Sequence, residues 1–281
     1  DLKLLMIKRL FLVLTLVGMG WSQTGFDILS TPTDARDASL GLTLNPTVKP
    51  TRILTHPETT VTLSVWNWVA DIQGAYMGIA LNNVHLSFQA MNSGELEHRN
   101  DIPTEEPLST FQYNLFNTGG AYARELGPVI VGFGGELIYE RSLNASATSL
   151  ALNLATAYSV NDHLQMSGGL RHFGVSGELD SESTKLPTEM WFEVDADFGQ
   201  LSLMTEINNG SLPLAVGVSY SLMGKFAFMG GIQIEPADPD LRMYPSAGFT
   251  ADWSNFVLGY SIYQINHTLG TRHFISLFWN Y

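Results

Sequence analysis

Residues 149–160 read SLALNLATAYSV. The even positions, Leu150, Leu152, Leu154, Thr156, Tyr158 and Val160, are large and mostly apolar. The odd positions, Ser149, Ala151, Asn153, Ala155, Ala157 and Ser159, are small or polar. A period of two is that of a β-strand, whose successive side chains point to opposite faces. In a secreted β-sandwich the large apolar face would point inward, and the other face would be rich in Lys, Glu and Thr. Here the other face is Gly, Ala, Ser and Asn, with few lysines. The pattern therefore predicts strands with lipid on the apolar face and a lumen on the small, polar one.

The alternation recurs from residue 59 onward, and fourteen strands are expected: 59–69, 71–81, 83–91, 108–124, 127–140, 146–160, 162–173, 188–198, 200–207, 213–222, 224–234, 244–252, 254–265 and 271–281. Many reach the length that a tilted strand needs to cross a bilayer. Every second connection is tight, such as NN at 82–83, ND at 161–162 and SN at 254–255. Those between are mostly longer and carry the loop charges, as in GELEHRNDIPTEE (94–106), SGELDSESTKLPTE (176–189) and EPADPDLR (235–242). Short periplasmic turns, long outer loops and an even strand number describe an all-β, transmembrane antiparallel barrel. The strand HFISLFWNY (273–281) is expected to close it. Its stripe Ile275, Leu277 and Trp279 would face lipid, and Tyr281 would sit in the interfacial aromatic girdle. The same four residues resemble the C-terminal assembly signal of bacterial outer-membrane proteins, so lipid and the outer-membrane assembly machinery are expected partners.

Residues 1–22 carry Lys8 and Arg9, an apolar run from Leu10 to Met19 and then small and polar residues, which is the plan of a signal peptide cleaved near Ser22–Gln23. The expected organisation is signal peptide 1–22, an N-terminal periplasmic or plug segment 23–58, and barrel 59–281. Four prolines, Pro32, Pro46, Pro50 and Pro57, prevent a long strand in the middle segment, yet its apolar residues want burial. If it enters the barrel, Arg36 is expected to meet Asp195 or Asp197. The chain has no cysteine, which excludes disulfides and thiolate metal sites. Its formal net charge is −13. A chain this acidic is not expected to bind nucleic acid through phosphates.

The stretch FDILSTPTDARDASLG (26–41) resembles the N-terminal signature of the PorV/PorQ family of Bacteroidetes-type outer-membrane proteins, P-x-x-A-R-x-A-x-x-G. Pro32, Ala35, Arg36, Ala38 and Gly41 match it, and Asn45 and Pro46 match a following NP. ADIQGAYMGIAL (70–81) and HTLGTRHFIS (267–276) look closest to the PorQ branch. Most of the acidic insert between Gly41 and NP in that family is missing here. The resemblance implies a fourteen-stranded barrel similar to FadL transporters, and a role in type IX protein secretion, docking or anchoring cell-surface proteins. A FadL-like channel for hydrophobic small molecules is the alternative. The discriminator is the lumen, since a transporter needs an apolar route and a movable plug.

Motifs for catalysis are not found. No HExxH pairs the seven histidines, GVSGE (174–178) fails the nucleophile-elbow pattern, and GFGGEL (132–137) lies inside a strand, where glycine relieves crowding. A calcium site in EPADPDLR is not supported, because its prolines break up the carboxylates. Neither enzyme activity nor a cofactor is expected. One cluster stands out: in MWFEVDADF (190–198), Glu193, Asp195 and Asp197 share a face with Trp191. Carboxylates cannot point cheaply into lipid, so they are expected in the lumen. There they pair with Arg124, Arg171 or Lys185, or stay hydrated, or form a polar gate or cation-binding patch.

Overall fold

A computed structural model describes residues 29, 31–55, 60–68, 71–99, 106–179, 182–183, 185–210, 212–236, 241–266 and 270–280. The expected signal peptide and Tyr281 lie outside these. The strands in chain order are β1 (Thr60–Asn67), β2 (Gln73–Leu81), β3 (Val84–Asn92), β4 (Leu96–His98), β5 (Ser109–Phe111), β6 (Asn114–Leu126), β7 (Val129–Ser142), β8 (Ala145–Asn161), β9 (Leu164–Val175), β10 (Glu178–Leu179), β11 (Glu182–Ser183), β12 (Glu189–Asp197), β13 (Leu201–Asn208), β14 (Leu214–Leu222), β15 (Phe226–Pro236), β16 (Leu241–Trp253), β17 (Phe256–Asn266) and β18 (Gly270–Asn280). Fourteen of them form one closed antiparallel barrel. The other four make two small hairpins, β4–β5 and β10–β11, in the long connections.

The strands run up and down, so the tight turns gather at one end of the barrel and the long connections at the other. Closure is made by β1 against β18, in register from Thr60↔Asn280 to Asn67↔His273. The apolar stripes face outward: Leu150, Leu152 and Leu154 on β8 are exposed, as are Ile275 and Trp279 on β18. Phe256 and Trp279 stack on that surface with ring centroids 6.1 Å apart.

All fourteen expected strands are present, with local differences. The long connection expected at 235–242 is cut back because β15 and β16 pair out to Pro236↔Leu241. The segment expected as 108–124 divides into β5 and β6, and β5 pairs with β4 outside the barrel. His98, expected in a loop, therefore lies in a strand. Between the expected strands 127–140 and 146–160 the connection narrows to a turn at Leu143–Asn144, because β7 and β8 keep pairing out to Ser142↔Ala145. Strand β9 contains a bulge. Leu152 pairs with Phe173 and Leu154 with Leu170, so Arg171 and His172 together oppose Asn153. His172 sits at φ 54°. Its displaced N–H donates instead to Asn153 Oδ1 at 2.7 Å. A bulge re-aims side chains, and here both Arg171 and His172 are buried in the lumen.

Segment 31–55 fills the interior. It holds two short helices, α1 (Ala35–Leu40) and α2 (Arg52–Thr55). Asp34 caps α1 by accepting from the Arg36 and Asp37 N–H groups at 2.8 and 3.1 Å. Gly41 ends it at φ 65°, with Gly41 N–H bonded to Ala38 O and Leu42 N–H to Asp37 O. This pair of bonds needs a left-handed residue, which glycine adopts without a Cβ clash. Leu29 packs at the long-loop end against Trp66, Leu115, Ile138 and Phe274. Thr55 borders a pocket at the opposite end, beside His163 and Asp197. The plug thus runs through the lumen towards the end at which β1 begins.

Removing residues 278–281 takes away the partners of Thr60, Val61 and Thr62 on β1 and of Phe256 and Val257 on β17. The expected outcome is loss of the heat-modifiable folded species in cold detergent electrophoresis. A normal folded yield would show that closure does not depend on these pairs.

Candidate functional site

The candidate site is the interface between plug and barrel wall, and the small-residue face of the strands explains how it forms. Glycines on β7, β14 and β15 lie directly beneath plug backbone, and those on β6, β16 and β17 beneath the plug side chains of Thr47, Ser39 and Ala35. A Cβ on Gly231 would overlap the carbonyl of Leu40, and one on Gly134 would overlap that of Thr47. A Cβ on Gly132 would come within 2.6 Å of Pro50 Cβ. Glycine in a strand interior often marks such a close backbone approach. Several polar groups of the plug find wall partners. Ala35 N–H donates to Ser276 Oγ at 2.8 Å, Gln233 Nε2 to Gly41 O at 2.8 Å, and Asn153 Nδ2 to Thr47 O at 2.9 Å. Such bonds are needed because an unpaired buried backbone group is costly.

The β12–β13 wall meets the plug through charge. Lys49, fully buried, bridges Glu193 and Glu206. Arg52 also binds Glu193, and reaches Asp195 Oδ2 at 3.1 Å. On the wall itself Arg171 ties Glu189 at 2.6 Å to Glu206 at 3.0 Å. A second polar group surrounds Glu136, which accepts from Asn117 and Asn153, each at 2.8 Å, and faces His172 Nδ1 at 3.0 Å. Burial pulls the Arg52 guanidinium down, but Glu193 and Asp195 more than offset this and hold it above its ordinary value. Asp37 behaves oppositely. Burial, reinforced by the Asp34 carboxylate, pushes it well above 3.8, and hydrogen bonds from Thr33 and Leu44 oppose this only in part.

The structure places Glu193 in the lumen, buried, with Asp195 half-buried beside it and Asp197 exposed at the tight-turn end. Their cationic partners differ from those expected. Arg171 serves Glu189 and Glu206, and Lys49 and Arg52 of the plug serve Glu193 and Asp195. Arg36 does not reach Asp195 or Asp197. Its guanidinium lies 4.2 Å from the ring centroid of Phe278, because α1 packs on the β14–β18 side of the barrel, away from β12. Pro32, Ala35, Ala38, Gly41 and Asn45 are all buried in the plug. The signature residues therefore describe how a plug seats on a wall: a capped helix with Ala35 against Gly259, then a turn in which Asn45 Oδ1 accepts from Thr47 N–H at 3.0 Å. Lys49, Arg52, Glu206 and Glu136 were not singled out from sequence. Glu206 and Glu136 carry the same signal as Glu193, a carboxylate on the inward face of a strand. Among the described residues no cluster of three metal-ligating side chains occurs.

Solved structures share this architecture. The monoaromatic hydrocarbon channel CymD superposes with a TM-score of 0.61, covering 90% of this chain and 98% of its own at 10% identity. The Pseudomonas putida toluene transporter TodX gives 0.60, covering 89% and 96% at 10% identity. A Pseudomonas aeruginosa FadL homologue gives 0.58, covering 88% and 98% at 10% identity. The fold is that of a FadL-like barrel. No family model and no curated protein sequence matches the chain.

Two outcomes follow for the plug of this FadL-like barrel. Gly231→Val should unseat α1 while leaving the barrel closed, seen as protease access to 31–55 in a still heat-modifiable protein. Protection equal to wild type would remove the close-packing account. An acid whose pKa is raised by burial binds more protons when the plug is seated, so seating is firmest in acid and weakens as pH rises above 3.8. Hydrogen exchange of 33–44, corrected for intrinsic rates, should quicken along that ramp. Asp37→Asn should flatten the dependence, and an unchanged slope would exonerate Asp37.

Proposed function

We propose that this chain is an outer-membrane channel for hydrophobic small molecules, held shut by its own N-terminal plug, with the tight-turn end towards the periplasm. The single observation that carries this reading is the apolar cluster at the long-loop end of the lumen, where Leu29 of the plug is seated among Trp66, Leu115, Ile138, Leu186 and Phe274. An enclosed apolar site occupied by one of the chain's own side chains is suited to a small apolar solute that displaces it. The likeness to barrels described as hydrocarbon channels and toluene transporters supports the same class. The neighbours are described as channels and transporters, which supports reading this protein as a non-enzyme.

One observation favours a second reading. Among the described residues, buried charged groups line the β12–β13 side of the lumen from Glu189 to Asp195, and the plug packs between them and the opposite wall. A barrel packed shut suits a docking component of type IX secretion, with surface proteins meeting the β4–β5 and β10–β11 hairpins. The signature residues do not choose between the two, since their burial in the plug serves any plugged barrel.

Leu29→Ala opens an apolar void next to Trp66, and such voids stay dry and bind small aromatics. Toluene titrated into the purified variant should change tryptophan fluorescence saturably, more tightly than in wild type. Absence of saturable binding in both proteins, together with specific capture of secretion-surface proteins by the intact barrel, would replace the channel reading with the docking one.

A further inference from the structure

Like β1, β3 and β8, the strands β12 and β13 offer the plug no glycine to rest on. Neither strand contains a glycine. The gap between this wall and the plug is bridged by charged side chains. They form an unbroken line in which Glu206 meets Lys49, Lys49 meets Glu193, Glu193 meets Arg52, and Arg52 meets Asp195. The line has a space at each end. Towards the long loops a cavity of about 30 Å³ lies among Arg171, Glu189, Glu206, Asn208 and Gln233. Arg171 is 4% exposed, and its Nη1 atom is buried without a hydrogen-bond partner. A polar cavity of that size, with an unanswered donor in its lining, is suited to water. Towards the tight turns a pocket of about 300 Å³ opens against Thr55, Asp195 and Asp197.

We propose that this charged seam is a second, hydrophilic path through the barrel, and that the Lys49 side chain is its gate, admitting small cations when its ammonium swings away from Glu193 and Glu206. The path does not depend on the hydrophobic-channel reading. At Gly132 and Gly134 on β7, Gly217 on β14 and Gly231 on β15, plug backbone rests on wall backbone, and a passage there requires the whole segment to move. At the seam, rotation about side-chain bonds is enough, and such rotation is much faster than displacement of a packed segment. Breaking the pairs leaves buried charges without partners, so the closed state dominates at rest. The sign of the permeant ion follows from the lining. With Lys49 withdrawn, the five carboxylates Glu189, Glu193, Asp195, Asp197 and Glu206 outnumber the two guanidinium groups that pair with them among the described residues, Arg52 and Arg171, and carboxylate-lined constrictions select cations.

Planar-bilayer recording in a potassium chloride gradient tests this. Lys49→Ala combined with Glu206→Gln removes one cation and one acid together, which keeps the charge balance needed for folding. The folded double variant should show a steady conductance where wild type stays closed, with its reversal potential shifted towards that of potassium. If the double variant does not fold, Lys49→Gln is recorded in its place with the same expectation. A disulfide between Ala35→Cys and Gly259→Cys then pins α1 to β17, since a Cβ on Gly259 lies 3.1 Å from that of Ala35. Conductance that survives this cross-link supports a gate that opens without moving the plug. Wild-type conductance in a folded variant, a chloride preference, or loss of current on cross-linking would each overturn the proposal. Toluene binding is read by fluorescence in separate samples, so failure of one idea leaves the other standing.

Discussion

A closed sheet in lipid has no unpaired edge, because hydrocarbon offers no partner for a free backbone group. At fourteen strands that same closure leaves a hole. An eight-stranded barrel is just filled by its own side chains, and barrels of sixteen or more hold a water channel. This barrel lies between, and its lumen is filled by another part of the chain. The remaining features follow from fitting one irregular segment into a regular cylinder. The inward faces must be small where plug backbone comes close, as at Gly231 and Gly134, and must offer hydrogen bonds where plug carbonyls would otherwise be orphaned, as Gln233 does for Gly41 and Asn153 for Thr47.

Two kinds of contact hold the plug, and they differ in how they yield. Backbone on glycine is rigid and short-ranged, with no side chain to rearrange. The charged contacts of Lys49 and Arg52 are strong only while complete, because a buried charge that loses its partner is left in a poor solvent. The bulge in β9 extends the charged side of this arrangement. By turning two consecutive residues inward it supplies Arg171 to Glu189 and Glu206, and also His172 to Glu136. A regular strand would have sent one of the two into the membrane.

The lumen is correspondingly divided. Its long-loop end is apolar around Leu29 and Trp66, and its β12–β13 side is charged from Glu189 to Asp195. A FadL-like fold is compatible with either a conduit or a scaffold, since function lies in sites built on a fold and not in the fold itself. What separates the two is whether the interior side chains give way to a solute.

The sequence by itself determined the barrel. Alternation in stretches such as 149–160 has a two-residue period that does not depend on what packs where, and tight turns at 82–83 and 254–255 mark strand ends locally. It also showed that Glu193 and Asp195 face the lumen, because lipid forbids the alternative. Only the tertiary structure decided which cations meet them. Lys49 and Arg52 lie more than 140 residues from Glu193, in a proline-interrupted segment without periodicity, and nothing local reveals which side of a cylinder such a segment will touch. Arg36 shows the same limit. Its charge suggested a carboxylate partner, but α1 is seated against β14–β18, and the guanidinium came to rest on the ring of Phe278. Alternation is a property of each strand alone, whereas partner choice inside the barrel is set by its closure and by the path of the plug through it.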